Sequence, residues 1–177
     1  MERGAGILRY NLATVRLPEP MTDDIQSLRR ILRESRVIAV VGLSASWYRP
    51  SYFAAKYMLE HGYTIIPVNP AYKEVLEQKC YASLRDIPVK VDMVDCFRKT
   101  EEILPIAEDA IAIGAKVLWQ QIGVKNAEAA RNAEAAGMDS VMDRCVKIEH
   151  ARLFGGLNWA GVNTKVISAK RPRWLPY

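Results

Sequence analysis

The chain has 177 residues and a net charge of +5; half of its residues are apolar and a quarter charged. This suits one globular domain with a sizeable core and excludes disordered, collagen-like and disulfide-scaffold classes. No apolar run approaches the ~20 residues of a membrane span, and the N-terminus lacks the apolar core of a secretory signal.

Residues 1–20 show no sustained periodicity and are expected as an N-terminal extension, with the domain over 21–150 and a basic tail over 151–177. From Thr22, a capping residue, Ile25, Leu28, Ile31 and Leu32 make one apolar helical stripe. Val37–Val41 is a buried strand that stops at Gly42. A short loop leads to a helix opening at Pro50-Ser51, with Phe53, Ala54, Tyr57 and Met58 at helical spacing and Gly62 as its stop. Thr64–Val68 is a second strand, in which Pro67 cannot donate to a neighbour on one side. Residues 71–90 are irregular apart from a helical turn near Ser83–Ile87.

The third strand is Val91–Phe97, followed by a helix over Glu101–Ile113 that tolerates Pro105 in its first turn. Lys116–Gln120 is a fourth strand, Lys125–Ala136 an alanine-rich helix, and Ser140–Met142 a short fifth strand. Strands alternating with helices predict parallel pairing and right-handed crossovers. The fold class expected is α/β: one Rossmann-like domain, a five-stranded mainly parallel sheet of order 3-2-1-4-5, and helices on both faces.

In such folds the junction of first strand and helix holds anions, because free backbone N–H groups and the positive helix end point at one spot. The nicotinamide fingerprint is G-x-G-x-x-G with an acid ~20 residues on. Here Gly42-Leu43-Ser44-Ala45-Ser46-Trp47 keeps one glycine, and the second strand ends at Asn69-Pro70 instead of an acid. The loop therefore suits a phosphate but matches NAD poorly. Arg49, Ser51 and Lys56 surround it, and Arg and Lys both suit phosphate. The third strand ends at Phe97-Arg98 and the fourth at Trp119-Gln120; Trp119 either packs on a ligand or belongs to the core.

At these residues the chain resembles a family. Val41-Gly42-Leu43-Ser44, Arg49-Pro50-Ser51-Tyr52, Val68-Asn69-Pro70, Asp95-Cys96-Phe97-Arg98, Trp119-Gln120-Gln121-Ile122-Gly123 and Met142-Asp143-Arg144-Cys145-Val146-Lys147 stand in order. Together they are similar to the stand-alone CoA-binding domain proteins, relatives of the N-terminal CoA-binding domain of the succinyl-CoA synthetase alpha subunit. The likeness covers roughly residues 25–150. It implies a Rossmann-type fold that holds coenzyme A or an acyl-CoA across the strand ends. By that resemblance Gly42, Ser44, Arg49, Ser51 and Lys56 meet the phosphates, and Asn69, Pro70, Phe97, Arg98, Trp119 and Gln120 line the adenosine or pantetheine path.

The ligase relatives carry a phosphorylated histidine in a further domain, which is not expected within these 177 residues. His61 and His150 form no nucleophile–base pair in sequence. Cys80, Cys96 and Cys145 are widely spaced without a CxxC pair, so neither disulfides nor a metal site is expected, and a reducing cytoplasm is. Cys145 is either a reactive thiol at a strand end or a structural cysteine. The expected function is a non-catalytic CoA- or acyl-CoA-binding protein: a carrier, sensor or subunit, with a protein partner or a second copy of itself. The alternative is an NAD(P)-dependent enzyme or redox sensor using the same crevice. Without a helix-turn-helix or RNA-binding signature, no nucleic-acid partner is expected.

Overall fold

The computed structural model describes residues 24–155. The expected extension over 1–20, the Thr22 cap and most of the basic tail lie outside the described residues. Helix α1 (Ile25–Glu34) is capped by Asp24, whose Oδ1 accepts from the Ser27 N–H at 2.9 Å, and it buries Leu28, Ile31 and Leu32. Strand β1 (Val37–Val41), helix α2 (Pro50–Glu60) and strand β2 (Thr64–Val68) follow where periodicity puts them. The expected helical turn lies at Leu84–Asp86, and a two-stranded hairpin, β3 (Glu74–Val75) with β4 (Gln78–Lys79), occupies the stretch expected to be irregular. Strand β5 (Met93–Cys96), helix α3 (Ile103–Ala112), strand β6 (Val117–Gln120), helix α4 (Ala127–Ala135), strand β7 (Asp139–Val141) and helix α5 (Val146–Phe154) complete the order.

All pairings in the main sheet are parallel, in the order β2-β1-β5-β6-β7. Counting these five strands along the chain, the order is 2-1-3-4-5, which corrects the expected 3-2-1-4-5. The third strand pairs with the first, Ile38 opposite Met93 and Val41 opposite Cys96. Pro67 supplies the physical reason. A residue without an N–H is tolerated at a sheet edge and not between two partners, so the second strand lies outermost. Along its outer side the Tyr81 N–H donates to the Pro67 carbonyl and the Tyr81 carbonyl accepts from Asn69 N–H, both at 2.9 Å.

Residues alternate across the sheet. Ile38, Val40, Met93, Val117 and Trp119 face one core, against α1, α2 and α5. Ala39, Val41, Val94, Cys96 and Leu118 face the other, against α3 and α4. The buried alanines Ala107 and Ala110 of α3 and Ala129 and Ala133 of α4 let those two helices pack closely over the second core. At the lower end Asp92 ties strands together, Oδ2 accepting from Arg36 N–H at 3.0 Å and Val37 N–H at 3.1 Å while Oδ1 pairs with Lys116 Nζ at 3.1 Å.

The observed order moves the point where strand order reverses. It lies between β1 and β5, where Gly42 leaves β1 with φ +85° and donates its N–H to the Val68 carbonyl at 2.9 Å. A Cβ built on Gly42 would sit 2.4 Å from the Phe97 carbonyl oxygen and 3.0 Å from Arg98 Nε. Gly62, at φ +86°, has nothing within 4 Å of the same construction. Gly42→Ala is therefore expected to lower unfolding free energy by about 2–4 kcal/mol, and Gly62→Ala by about 1 kcal/mol. Urea midpoints of the two variants, read at constant m, check the difference.

Candidate functional site

In open α/β sheets ligands lie beyond the carboxyl ends of the strands, at the point where strand order reverses. Here a cleft of about 580 Å³ opens at that point. Gly42, Ser44, Arg49, Pro50 and Ser51 line it from the β1–α2 junction, Phe97, Arg98, Lys99 and Glu102 from the end of β5, Gln121, Ile122 and Val124 from the end of β6, and Cys145 from the start of α5. A second depression of about 460 Å³ adjoins it through the shared residues Arg98 and Glu102. Val41, Val68, Pro70, Ala82, Pro105 and Ile106 make that depression mainly apolar.

The β1–α2 loop is braced from within. Asn69 Nδ2 donates to the Leu43 carbonyl at 2.9 Å, Ser51 Oγ accepts from Ser44 N–H at 3.2 Å, and Ser44 Oγ accepts from Ser46 N–H at 3.1 Å. Arg49 occupies the N-cap of α2 without a side-chain cap bond, and Pro50 follows at the first helical position. The helix start is thus left open toward the cleft, with the Arg49 guanidinium above the Tyr48 ring at 5.7 Å. Arg98 lies 3.8 Å from Glu102, an exposed pair that holds it only weakly.

Six of the sequence-expected residues, Gly42, Ser44, Arg49, Ser51, Phe97 and Arg98, meet in this cleft, and Pro70 lines the neighbouring depression. Asn69 braces the loop from behind. Lys56 lies on the second turn of α2, exposed and 3.9 Å from Glu60, outside both linings. Trp119 is fully buried, its indole N–H donating to the Arg144 carbonyl at 2.7 Å, which resolves the sequence alternative in favour of the core. Gln120 is also fully buried and exchanges two hydrogen bonds with the Asn126 backbone, at 2.7 and 3.0 Å. Neither side chain is available to a ligand.

The sequence reading did not select Gln121 and Asp95 as site residues. Strand parity is the signal that finds them: Gln121 lies two residues beyond Trp119, and Asp95 is paired in register with Trp119, so both lie on one face of the sheet. Gln121 Nε2 donates to Asp95 Oδ1 at 2.7 Å, both residues almost fully buried. Burial pushes the Asp95 carboxyl up to about 7, against the opposing effect of the Gln121 hydrogen bond. Burial likewise raises the Cys145 thiol, with the Asp95 charge adding to it, and two α5 backbone N–H groups opposing. A raised thiol is a poor nucleophile. The loop after β6 is stapled by Asp143, which accepts from Gly123 N–H at 2.7 Å and pairs with Lys125 at 2.8 Å.

A CoA binding domain model matches residues 36–151. The chain belongs to that family. YneT of Bacillus subtilis (strain 168), an uncharacterized protein, is 40% identical over 124 residues, covering 70% of this chain and 92% of YneT. A hypothetical protein from Pyrococcus horikoshii OT3 has a solved structure that is 45% identical, with a TM-score of 0.73, over 75% of this chain and 93% of that one. The apo dinucleotide-forming acetyl-coenzyme A synthetase 1 of Ca. Korarchaeum cryptofilum is 26% identical with a TM-score of 0.56, covering 66% of this chain and 28% of the synthetase chain. Among the described residues no helix is long and apolar enough to cross a membrane.

The buried Asp95 gives this CoA binding domain a pH signature. Its carboxyl ionises near pH 4 when unfolded and near 7 when folded, so unfolding between those values releases a proton. This contribution to stability is present in acid and is lost as pH rises through that window, at up to ~1.4 kcal/mol per pH unit. Asp95→Asn is expected to flatten that slope and to be more stable than the wild type at pH 8. Denaturant titrations at pH 5 and pH 8 measure it.

Proposed function

We propose that this protein binds coenzyme A or a short acyl-CoA in the cleft between β1 and β5 and carries out no reaction on it alone. It would serve as a carrier, a sensor or a subunit of a larger assembly in the cytoplasm. The observation that carries the reading is the meeting of the Gly42 loop, the open start of α2, Arg49, Ser51 and Arg98 in one cleft at the strand reversal. Backbone N–H groups, a helix N-terminus and two guanidinium groups suit the diphosphate and the ribose phosphate of CoA. The adjoining apolar depression at Val68, Pro70 and Ile106 suits a purine, with Arg98 standing between base and phosphates. Membership of the CoA binding domain family supports the same ligand.

A non-catalytic role is supported by where the reactive side chains lie. His61 and His150 both contact Tyr57, His61 Nδ1 at 2.7 Å from its carbonyl oxygen and His150 Nδ1 at 3.1 Å from its hydroxyl, away from the cleft lining. Among the described residues the thiol that lines the cleft is Cys145, and burial raises it further above its ordinary value. Cytoplasmic location accords with three free cysteines, two of them buried.

Titration calorimetry with CoA, acetyl-CoA, NAD and NADP tests the proposal. CoA and acetyl-CoA are expected to bind and the nicotinamide nucleotides to bind far more weakly, because no acid stands at Asn69 to hold the ribose hydroxyls. Tight NAD or NADP binding with no heat from CoA would sink the reading. Arg98→Ala is expected to weaken CoA binding about tenfold, the usual loss for one charge-assisted phosphate contact. Lys56→Ala, outside the cleft, is expected to leave it unchanged.

A further inference from the structure

The two walls of the cleft differ in chemistry. The β1–α2 side carries Arg49, Ser51 and the open backbone at Gly42, and the end of β5 adds Arg98, Lys99 and Glu102; the stretch after β6 and the start of α5 bring Ile122, Val124 and Cys145, with Gln121 as the polar group among them. Gln121 is 3% exposed, yet its Oε1 has no hydrogen-bond partner among the described residues. Its Nε2 is already committed to Asp95. A buried amide oxygen left unpaired is destabilising, and native structures rarely keep one without a use for it.

Asp95 decides which end of the amide is left over. Its Oδ1 accepts, so the donating nitrogen turns toward it and the carbonyl oxygen is the free end. An unpaired acceptor backed by a buried carboxyl is hostile to phosphate, whose oxygens also accept. It welcomes a neutral group that brings an N–H. The pantetheine arm of CoA is such a group: largely apolar, with two amide N–H donors along it.

We propose that Gln121, oriented by Asp95, is the residue that recognises an amide of the pantetheine arm, and that it directs the phosphates to the Gly42–Arg49–Arg98 side. The inference rests on the CoA reading above. A small turn of the terminal amide brings Oε1 from its enclosed resting place to the cleft, where the arm N–H donates to it. Binding then pairs a polar atom that no described residue meets. Gln121 touches the ligand; Asp95 acts through Gln121 as a positioning residue.

Calorimetry with two probes tests this: CoA, and adenosine 3′,5′-bisphosphate, which keeps the base, the 3′-phosphate and the inner 5′-phosphate but lacks the outer phosphate and the arm. Gln121→Met keeps the length of the side chain and removes the acceptor. It is expected to weaken CoA by about fivefold to tenfold and to leave the bisphosphate unaffected. Asp95→Leu, which frees the amide, is expected to show the same selective loss, and Asp95→Asn, still able to accept from Nε2, to rescue CoA affinity. Retained bisphosphate binding and thermal midpoint show that each variant is folded. In the wild type, the side-chain amide resonance of Gln121 is expected to move on adding CoA and to stay in place with the bisphosphate. Unchanged CoA affinity in Gln121→Met, parallel losses for both probes, or an unmoved Gln121 resonance with CoA overturns the assignment while leaving the CoA reading intact. A wild type that binds neither probe overturns the CoA reading, and this assignment with it.

Discussion

The approach of β1 to β5 at Gly42 is the constraint on which the cleft depends. The backbone turns out of β1 in the left-handed region, and the Phe97 carbonyl occupies the place of the missing side chain. Glycine thus serves the protein's own packing before any ligand arrives. With that contact in place, the β1–α2 loop and the end of β5 become two lips of one opening, and Arg98 is delivered beside the loop although it lies more than fifty residues away in sequence. The loop is then fixed by Asn69 from the neighbouring strand end and by Ser51 from the helix it precedes. The open helix start and the cations are therefore presented by a pre-organised frame, which reduces the ordering lost on binding.

Beneath the opening the sheet carries polar groups where a core would ordinarily be apolar. Asp95 stands in register with Val40 and Trp119 in the centre of the sheet, and Gln121 covers it. A buried carboxyl is tolerated when it is hydrogen-bonded or neutral, and here it is hydrogen-bonded and has its pKa raised. The same economy appears in α5. Glu149 is fully buried but is met by Arg144 at 3.0 Å and by Arg152, and His150 packs among Tyr57, Tyr63 and Phe154. Removing one partner of such a buried pair is far costlier than never having had it.

Much of this was legible in the residues. The β-branched runs of β1 and β2 and the glycines that end α2, α3 and α4 fix those elements through local sterics alone. Strand order is different, because it is set by crossovers between distant segments; only Pro67 hinted at it, by barring β2 from a place between two neighbours. Helix α5 hid from periodicity because two of its four buried residues are Glu149 and His150, whose burial depends on partners brought from elsewhere. At the site, the phosphate-suited side of the cleft was visible in residue types, glycine, serine and arginine at a strand–helix junction. The opposite wall was not, since Gln121, Ile122 and Val124 are unremarkable residues until the chain path places them there. Trp119 and Gln120 erred the other way: their chemistry suggested ligand contact, and strand geometry turned them into the two cores.

The outer margin of β2 has a bearing on how copies of this domain can meet. A bare strand edge invites another chain to pair with it. Here Pro67 offers no donor, and the Tyr81 backbone already occupies the flanking carbonyl and amide. The opposite margin, β7, is three residues long and is too short to template much pairing. Extension of the sheet from molecule to molecule is thereby disfavoured at both ends. Association through side chains is a different matter: Trp47, Tyr48 and Phe53 stand exposed together on the β1–α2 loop and the first turn of α2, and their edge-to-face contacts make a compact apolar surface. Any assembly built there would draw on the same loop that brings Ser44 and Arg49 to the cleft.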